Sequence, residues 1–419
     1  MYYILIFNNF MKKIFHILLA SIFLFSIGGC SKNNSDGGNS STETPRTVIV
    51  YLGGDNNLSF ETDEKIDAIR EGWAPGKGEL LIYQDTYNGT PKLLRMRGAD
   101  KTHSRNYTEV IETYEEENSA SPEVLNRVIR KVIQDYPSDS YGLLIFSHGS
   151  GWLPDLTLSF PEGTKTARSI IIDNSTSSPN GEAMNIEDFA SAIPDKSMDF
   201  IIFEACLMSG VEVAYELKEK TDYILASSAE ILSPGFTDIY PSSIMLLFDT
   251  NISLQENLQN FAENYYNTVN NFSDVFRSAT LSVIQTSELD ELAALTKEAI
   301  ANDRSDITAY RDDLQRFDRP GEYNENPIIY QSRFFDYGDY MQHIANTDLY
   351  NAIEAQLSKT VVWKAATPQF MMPANNSSFN YNGFKIERHC GLTTYIEQPE
   401  LSYLNEQYEQ TAWYKATRF

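Results

Sequence analysis

Cysteine is scarce in this chain. Its 419 residues include three, Cys30, Cys206 and Cys390, and no two of them form a C-x-x-C. A zinc cluster and a disulfide framework are therefore excluded as organising devices. If Cys30 is modified, one disulfide between Cys206 and Cys390 is the sole pairing left, and it would consume both thiols. Histidine is nearly as rare, with five. Positive charge is short as well, 33 Lys and Arg against 58 Asp and Glu. Such a surface repels nucleic acid and anionic headgroups and attracts basic peptides. There is no internal repeat, and the apolar run from Ile14 to Ile27 is short for a membrane span. What the chain does have is apolar mass: 42% hydrophobic residues, with 25 Tyr and 23 Phe, which predicts a folded globular protein. Its length suits two domains.

The amino-terminal stretch K-K-I-F-H-I-L-L-A-S-I-F-L-F-S-I-G-G-C, Lys12 to Cys30, has a basic start, an apolar middle and small residues before the break. That is the pattern of a secretory signal, and Cys30 directly after Gly29 looks like a bacterial lipobox. Residues 1–29 are expected to be a lipoprotein signal peptide, with Met11 as the true start and Cys30 as the lipidated residue. Residues 30–45, rich in Ser, Asn and Gly, read as a flexible tether. The expected location is the cell envelope, with the chain lipid-anchored and facing the periplasm or the cell surface. Without Lys12 and Lys13 the formal charge becomes 31 − 58 = −27.

Strand candidates follow at Thr47–Leu52, Leu80–Gln84, Leu143–Ser147, Phe200–Phe203, Tyr223–Ser227 and Thr280–Gln285, with helical stretches between them. Pro122–Tyr136 has Ser121 at the cap and Pro at the first helical position. Ile186–Ile193 follows Asn185 as cap. Alternation of this kind predicts an α/β domain with a mostly parallel sheet covered on both faces, assigned to residues 46–285. Beyond Gln285 the pattern turns helical, at Glu288–Ile300, Ile307–Phe317, Tyr337–Ile344 and Leu349–Leu357. It closes with a strand at Leu392–Ile396 and a helix near Leu401–Ala412. Residues 286–419 are therefore expected to form a second, helix-rich domain.

Two strand ends carry reactive side chains. Asp199 to Leu217 runs from a buried-type strand through Glu204-Ala205-Cys206 into a helical period with Val211, Ala214, Tyr215 and Leu217. That leaves a thiol at the carboxyl edge of the sheet, where open α/β sheets place their chemistry. A buried structural cysteine is the competing reading. Tyr141 to Gly149 is a second such strand and ends in His148-Gly149, so parallel neighbours would set His148 beside Cys206.

Apolar strand then His-Gly, followed by apolar strand then acid-Ala-Cys, resembles the clostripain family of cysteine peptidases, in one clan with caspases, legumain and gingipains. The resemblance extends to V-I-V-Y-L-G-G-D-N-N-L at Val48–Leu58, F-D-Y-G-D-Y at Phe335–Tyr340, G-L-T-T-Y-I and A-W-Y-K-A-T. It implies a caspase-like three-layer sandwich and a His148/Cys206 dyad. It also implies cleavage after Arg or Lys, and no cofactor. Backbone N–H groups of Gly149 and Cys206 are expected to form the oxyanion hole. Glu204, two residues before the nucleophile where the family usually has Asp, is expected to line the pocket for the basic side chain; pairing with a local Arg is the alternative. Asp238 is a second candidate for that pocket.

Other residues read more plainly. Asp173 could orient His148, but a turn-forming role fits as well; Asp55 reads as the cap of the helix starting near Asn57. Glu115-Glu116-Glu117 reads as a solvated face. No D-x-[DN]-x-[DN]-G loop is present, so no metal is assigned. The polar insertion Ser150–Asn185 holds Lys165 and Arg168, the only basic residues between His148 and Lys196. They are candidate self-cleavage sites in a latent precursor. The expected partners are a peptide or protein substrate with a basic residue before the cut, and the membrane through Cys30; the chain is expected to be a monomer. The rival readings are a non-enzymatic surface lipoprotein that binds glycans or peptides, and a catalytically dead relative.

Overall fold

A computed structural model describes residues 45–154, 170–174, 181–303, 305, 307–319, 331–373 and 381–419. The signal, most of the tether, Lys165 and Arg168 lie outside the described residues. Nine strands form one sheet in the order β12-β10-β9-β8-β5-β1-β2-β3-β4. The five central strands are β1 (Thr47–Gly54), β2 (Glu79–Thr86), β5 (Tyr141–Phe146), β8 (Met198–Glu204) and β9 (Thr221–Ala226), and they run parallel. Antiparallel strands close both sides. These are β3 (Lys92–Arg97) and β4 (Tyr107–Thr113) beyond β2, and β10 (Thr280–Gln285) and β12 (Val361–Ala366) beyond β9.

Central strands buried on both faces need continuous apolar runs, and β5 and β8 supply them. Side chains alternate across the sheet. Leu143, Ile145, Ile201 and Phe203 enter one core, which also holds Val124, Leu125 and Val128 of α2 (Pro122–Asp135) and Phe189 of α3 (Ile186–Ala192). Leu144, Phe146, Phe200 and Ile202 enter the other core, against Ile66 and Ile69 of α1 (Ser59–Gly72) and Phe261 of α6 (Leu254–Asn270). The result is the three-layer α/β sandwich expected from the pattern. Ser121 caps α2 as expected, accepting hydrogen bonds from the amides of Glu123 and Val124 at 3.2 and 3.4 Å.

The proposed boundary at residue 285 is not a boundary. Glu43–Phe419 forms one compact unit. Past Gln285 the chain forms α7 (Leu289–Asn302), β11 (Phe335–Asp336), α8 (Tyr337–Ile344), α9 (Thr347–Thr360), α10 (Ser402–Tyr408) and α11 (Ala412–Arg418). Leu292, Met341, Ile353 and Trp413 from these helices share one core with Ile145 and Phe203 of the sheet, and β12 extends that sheet beside β10. Helical periodicity carries no information about what the helices pack on. The expected helix at 307–317 is also absent; short 3-10 turns at Ile307–Ala309 and Arg311–Asp313 stand in its place.

Candidate active site

Strand order reverses between β1 and β5: the chain builds outward to β2 on one side and to β8 and β9 on the other. A crevice opens at such a point beyond the carboxyl ends of the strands. The turns after β1, β5 and β8 all end there. After β5, Gly149 lies against the chain that follows β8. A Cβ added at Gly149 would meet the Cys206 carbonyl oxygen at 2.8 Å and the Cys206 nitrogen at 3.2 Å. Glycine is needed at that approach because the two backbones touch. Parallel register thus brings His148-Gly149 and Cys206 to one place, as the two strand ends suggested.

Cys206 is half-buried, with Sγ 3.9 Å from the Ile231 carbonyl oxygen, and it is a free thiol. Burial pushes this thiol up to about 12; Glu230 adds to the shift and Arg319 opposes it. Glu230 and Arg319 pair at 2.5 Å, close to the nucleophile. The adjacent Leu207 has φ 63 and donates its amide to the Ala229 carbonyl at 2.9 Å, which turns the chain sharply after Cys206. Cys390 is buried and free, its sulfur accepting from the Gly338 amide at 3.2 Å, so the two cysteines form no disulfide.

His148 Nε2 is hydrogen-bonded to Asn57 Oδ1 at 2.7 Å. Sequence reasoning missed Asn57; its one signal was the D-N-N turn at the same sheet edge. Asn56 Nδ2 donates to the Gly53 and Ile172 carbonyls at 3.0 and 2.9 Å, and Asn56 Oδ1 accepts from the Leu58 amide. β6 (Ile170–Asp173), paired with β7 (Glu182–Met184), grips the histidine turn. Its Ile171 amide donates to the His148 carbonyl at 3.2 Å, and Ile170 bridges Gly149. Asp173 accepts from the Ser119 amide and hydroxyl at 2.6 and 3.0 Å. Asp55 is buried rather than capping: the cap position of α1 is Leu58, with no side-chain cap bond.

Glu204 does not line a substrate pocket. It is 2% exposed and follows Phe200 and Ile202 onto the α1 face of the sheet. There Lys65 Nζ, itself 0% exposed, donates to Glu204 Oε1 at 2.7 Å, joined by the Phe236 amide at 2.5 Å and the Tyr240 hydroxyl at 2.5 Å. Lys65 also bonds the Pro234 carbonyl and Thr237 Oγ1, both at 3.0 Å, and sits 4.1 Å above the Phe146 ring. Alternation by two places Glu204 and Cys206 on one face only while the strand continues. It ends at Glu204, and the turn separates them.

The loop after β9, which carries Pro234 and Phe236, forms one wall of a narrow cleft lined by Leu232, Gly235, Asp238, Tyr265, Phe272 and Phe276, among others. Tyr265 is 2% exposed in that wall, and burial raises its pKa. Asp238 is the carboxylate in it that remains exposed. Burial raises its pKa and Lys65 opposes the rise.

Comparison with known proteins agrees with this fold. The model of the clostripain family of C11 peptidases matches residues 50–418. The chain belongs to the clostripain family. This clostripain-family chain is similar to the inactive zymogen of a C11 protease from Parabacteroides distasonis, at 31% identity and a TM-score of 0.72, covering 90% of this chain and 99% of that one. It is also similar to a secreted C11 cysteine protease from Bacteroides thetaiotaomicron solved with an irreversible peptide inhibitor. That match has 28% identity and a TM-score of 0.71, over 89% and 99% of the two chains. Clostripain of Hathewaya histolytica is 27% identical over 219 residues, and the match spans 40% of that protein's length and 45% of this one.

Proposed function

We propose that this chain is a cysteine endopeptidase acting through His148 and Cys206. The observation that supports the reading is the contact between the Gly149 and Cys206 backbones, the two turns that carry His148 and the thiol. The Cys206 sulfur attacks the substrate carbonyl carbon. His148 carries the thiol proton to the leaving amine as the C–N bond breaks, and water then hydrolyses the thioester. The amides of Gly149 and Cys206 hold the oxyanion. Asp238, rather than Glu204, meets a basic side chain entering the cleft, because Glu204 is already neutralised by Lys65.

The thiol in this form is held protonated, and Asn57 occupies His148 Nε2. Both features suit a latent precursor. Lys165 and Arg168 lie five and two residues before Ile170, where β6 starts and grips His148 and Gly149. A cut there would free one end of that grip. Cys30 carries the lipid that holds the mature chain, a monomer, to the envelope; among the described residues no helix is long and apolar enough to cross a membrane. The test is covalent labelling of Cys206 by a peptide electrophile with Arg or Lys before the warhead, followed by peptide mapping. Labelling at Cys206 is expected. No labelling of folded, reduced, processed protein would sink the reading.

A further inference from the structure

Two aromatic rings stand bare on the sheet edge that carries the site. Among the described residues, large apolar or aromatic side chains that face solvent are few, and Phe60, 65% exposed, and Tyr87, 58% exposed, are two of them. Phe60 lies in the first turn of α1, three residues after Asn57, and Tyr87 directly follows β2. The Tyr87 amide donates to Ser59 Oγ at 3.0 Å, which holds that turn of α1 against the end of β2. A single exposed ring needs no account, but two brought to one catalytic edge do. Leaving both in water forgoes the large apolar area that an aromatic side chain can bury.

We propose that Phe60 and Tyr87 form a leaving-side subsite that takes an apolar side chain, aromatic or long aliphatic, from the third or fourth substrate residue after the cut. The inference rests on the His148/Cys206 reading above. The loop after β9 flanks the thiol on one side, with the Ile231 carbonyl oxygen 3.9 Å from Cys206 Sγ, and it carries Asp238 for the residue before the cut. His148 belongs to the other side, just past β5, and gives its proton to the departing amine. The peptide attached to that amine therefore continues past β5, over the turn after β1 and towards the end of β2.

Register and strand spacing set the distance. β8, β5, β1 and β2 are successive neighbours, and their ends are nearly level: Glu204 lies opposite Phe146, Phe146 opposite Leu52, and Gly54 opposite Thr86. Neighbouring strands stand about 4.8 Å apart, so the end of β1 is about 10 Å from the nucleophile and the end of β2 about 14 Å. An extended peptide advances about 3.3–3.6 Å per residue, which brings its third residue to the first turn of α1 and its fourth to Tyr87. Asp63 and Glu64, exposed at the start of α1, add negative charge there, so an acidic side chain is repelled.

The test uses the processed enzyme and quenched fluorescent peptides that share Arg before the cut and differ at one of the four residues after it. Phe in place of Ala at the third or fourth position should raise kcat/KM about five- to tenfold, and Glu should lower it. Phe60→Ala and Tyr87→Ala alter exposed rings, so both should keep the parent's melting temperature while the ratio of Phe to Ala peptides falls towards one. An aminocoumarin amide of Arg, which has no residue after the cut, tells the two readings apart. Cleavage of that amide with no preference among the peptides would overturn the subsite and leave the peptidase reading standing. No cleavage of amide or peptides by folded, reduced, processed protein would sink the peptidase reading and the subsite with it. A Phe preference that survives in both variants would place the pocket elsewhere. A preference confined to the first or second residue after the cut would refute the assignment to these rings.

Discussion

Lys65 Nζ stands 2.7 Å from Glu204 Oε1 with both side chains closed to water, and this pair decides what the acid of the Glu-Ala-Cys motif does. It anchors the loop after β9 to α1 through Pro234, Phe236 and Thr237, and that loop in turn walls the cleft that holds Asp238 and Tyr265.

Glu204→Gln removes the nearer of the two carboxylates that face the buried Lys65 ammonium and leaves only Glu61 Oε2, at 3.6 Å. A loss of roughly 1.5–3 kcal/mol of stability is expected, read by urea denaturation. Selectivity for the residue before the cut should survive in whatever fraction folds. A stable Glu204→Gln protein that has lost its preference for Arg and Lys would return Glu204 to the pocket.

Asp238→Asn removes the exposed carboxylate of the cleft and touches no buried pair. A charge-assisted bond of ~1.5–3 kcal/mol corresponds to about a 10- to 150-fold loss of kcat/KM on Arg and Lys substrates. Melting temperature should stay unchanged. Equal loss on substrates with a neutral residue at that position would mean that Asp238 shapes the loop and does not read charge.

The pH response of the thiol follows from its burial. With its ionisation pushed up to about 12, Cys206 in the uncut protein stays protonated through neutral and mildly alkaline pH. An ordinary thiol near 8.5 would be roughly one-quarter ionised at pH 8. Alkylation of the intact chain by iodoacetamide should be slow at pH 8, climb with pH, and accelerate at fixed pH after processing. The sign for stability is the same: this contribution is complete below the unfolded thiol's pKa and is lost as pH rises towards the folded value. Fast alkylation of the uncut chain at pH 7 would contradict a protonated resting thiol.

Latency can be read directly from parallel preparations of the parent and Cys206→Ala. New amino termini after Lys165 or Arg168 should form in the parent alone. Identical nicking in both would assign the cut to another protease. Full activity from an uncut Lys165→Ala/Arg168→Ala chain would remove latency altogether.

The six sequence-derived strands sit in the large sheet because buried central strands must be apolar runs, and runs are visible in a sequence. β3, β4 and β12 were missed, being edge or near-edge strands whose polar residues blur the pattern, as Lys92-Leu93-Leu94-Arg95 shows. Cys206 and Gly149 were legible because parallel strands align their ends. Partners were not. Nothing local in Glu204 announces Lys65, 139 positions earlier, and nothing in Phe60 and Tyr87 announces that their two turns meet. Spacing along the chain reports faces of single elements; convergence of separate turns depends on strand order.

The shared core also has a consequence for anyone who would trim the protein. A fragment ending at Gln285 keeps His148 and Cys206 but strips β12 from β10. The ladder groups of Leu281 and Val283 would then face water, beside a core face that has lost Leu292, Ile353 and Trp413. An uncovered apolar strand edge is a template for pairing with its own copies. Such a fragment should be recovered as inclusion bodies, and the smallest soluble unit should extend through α11.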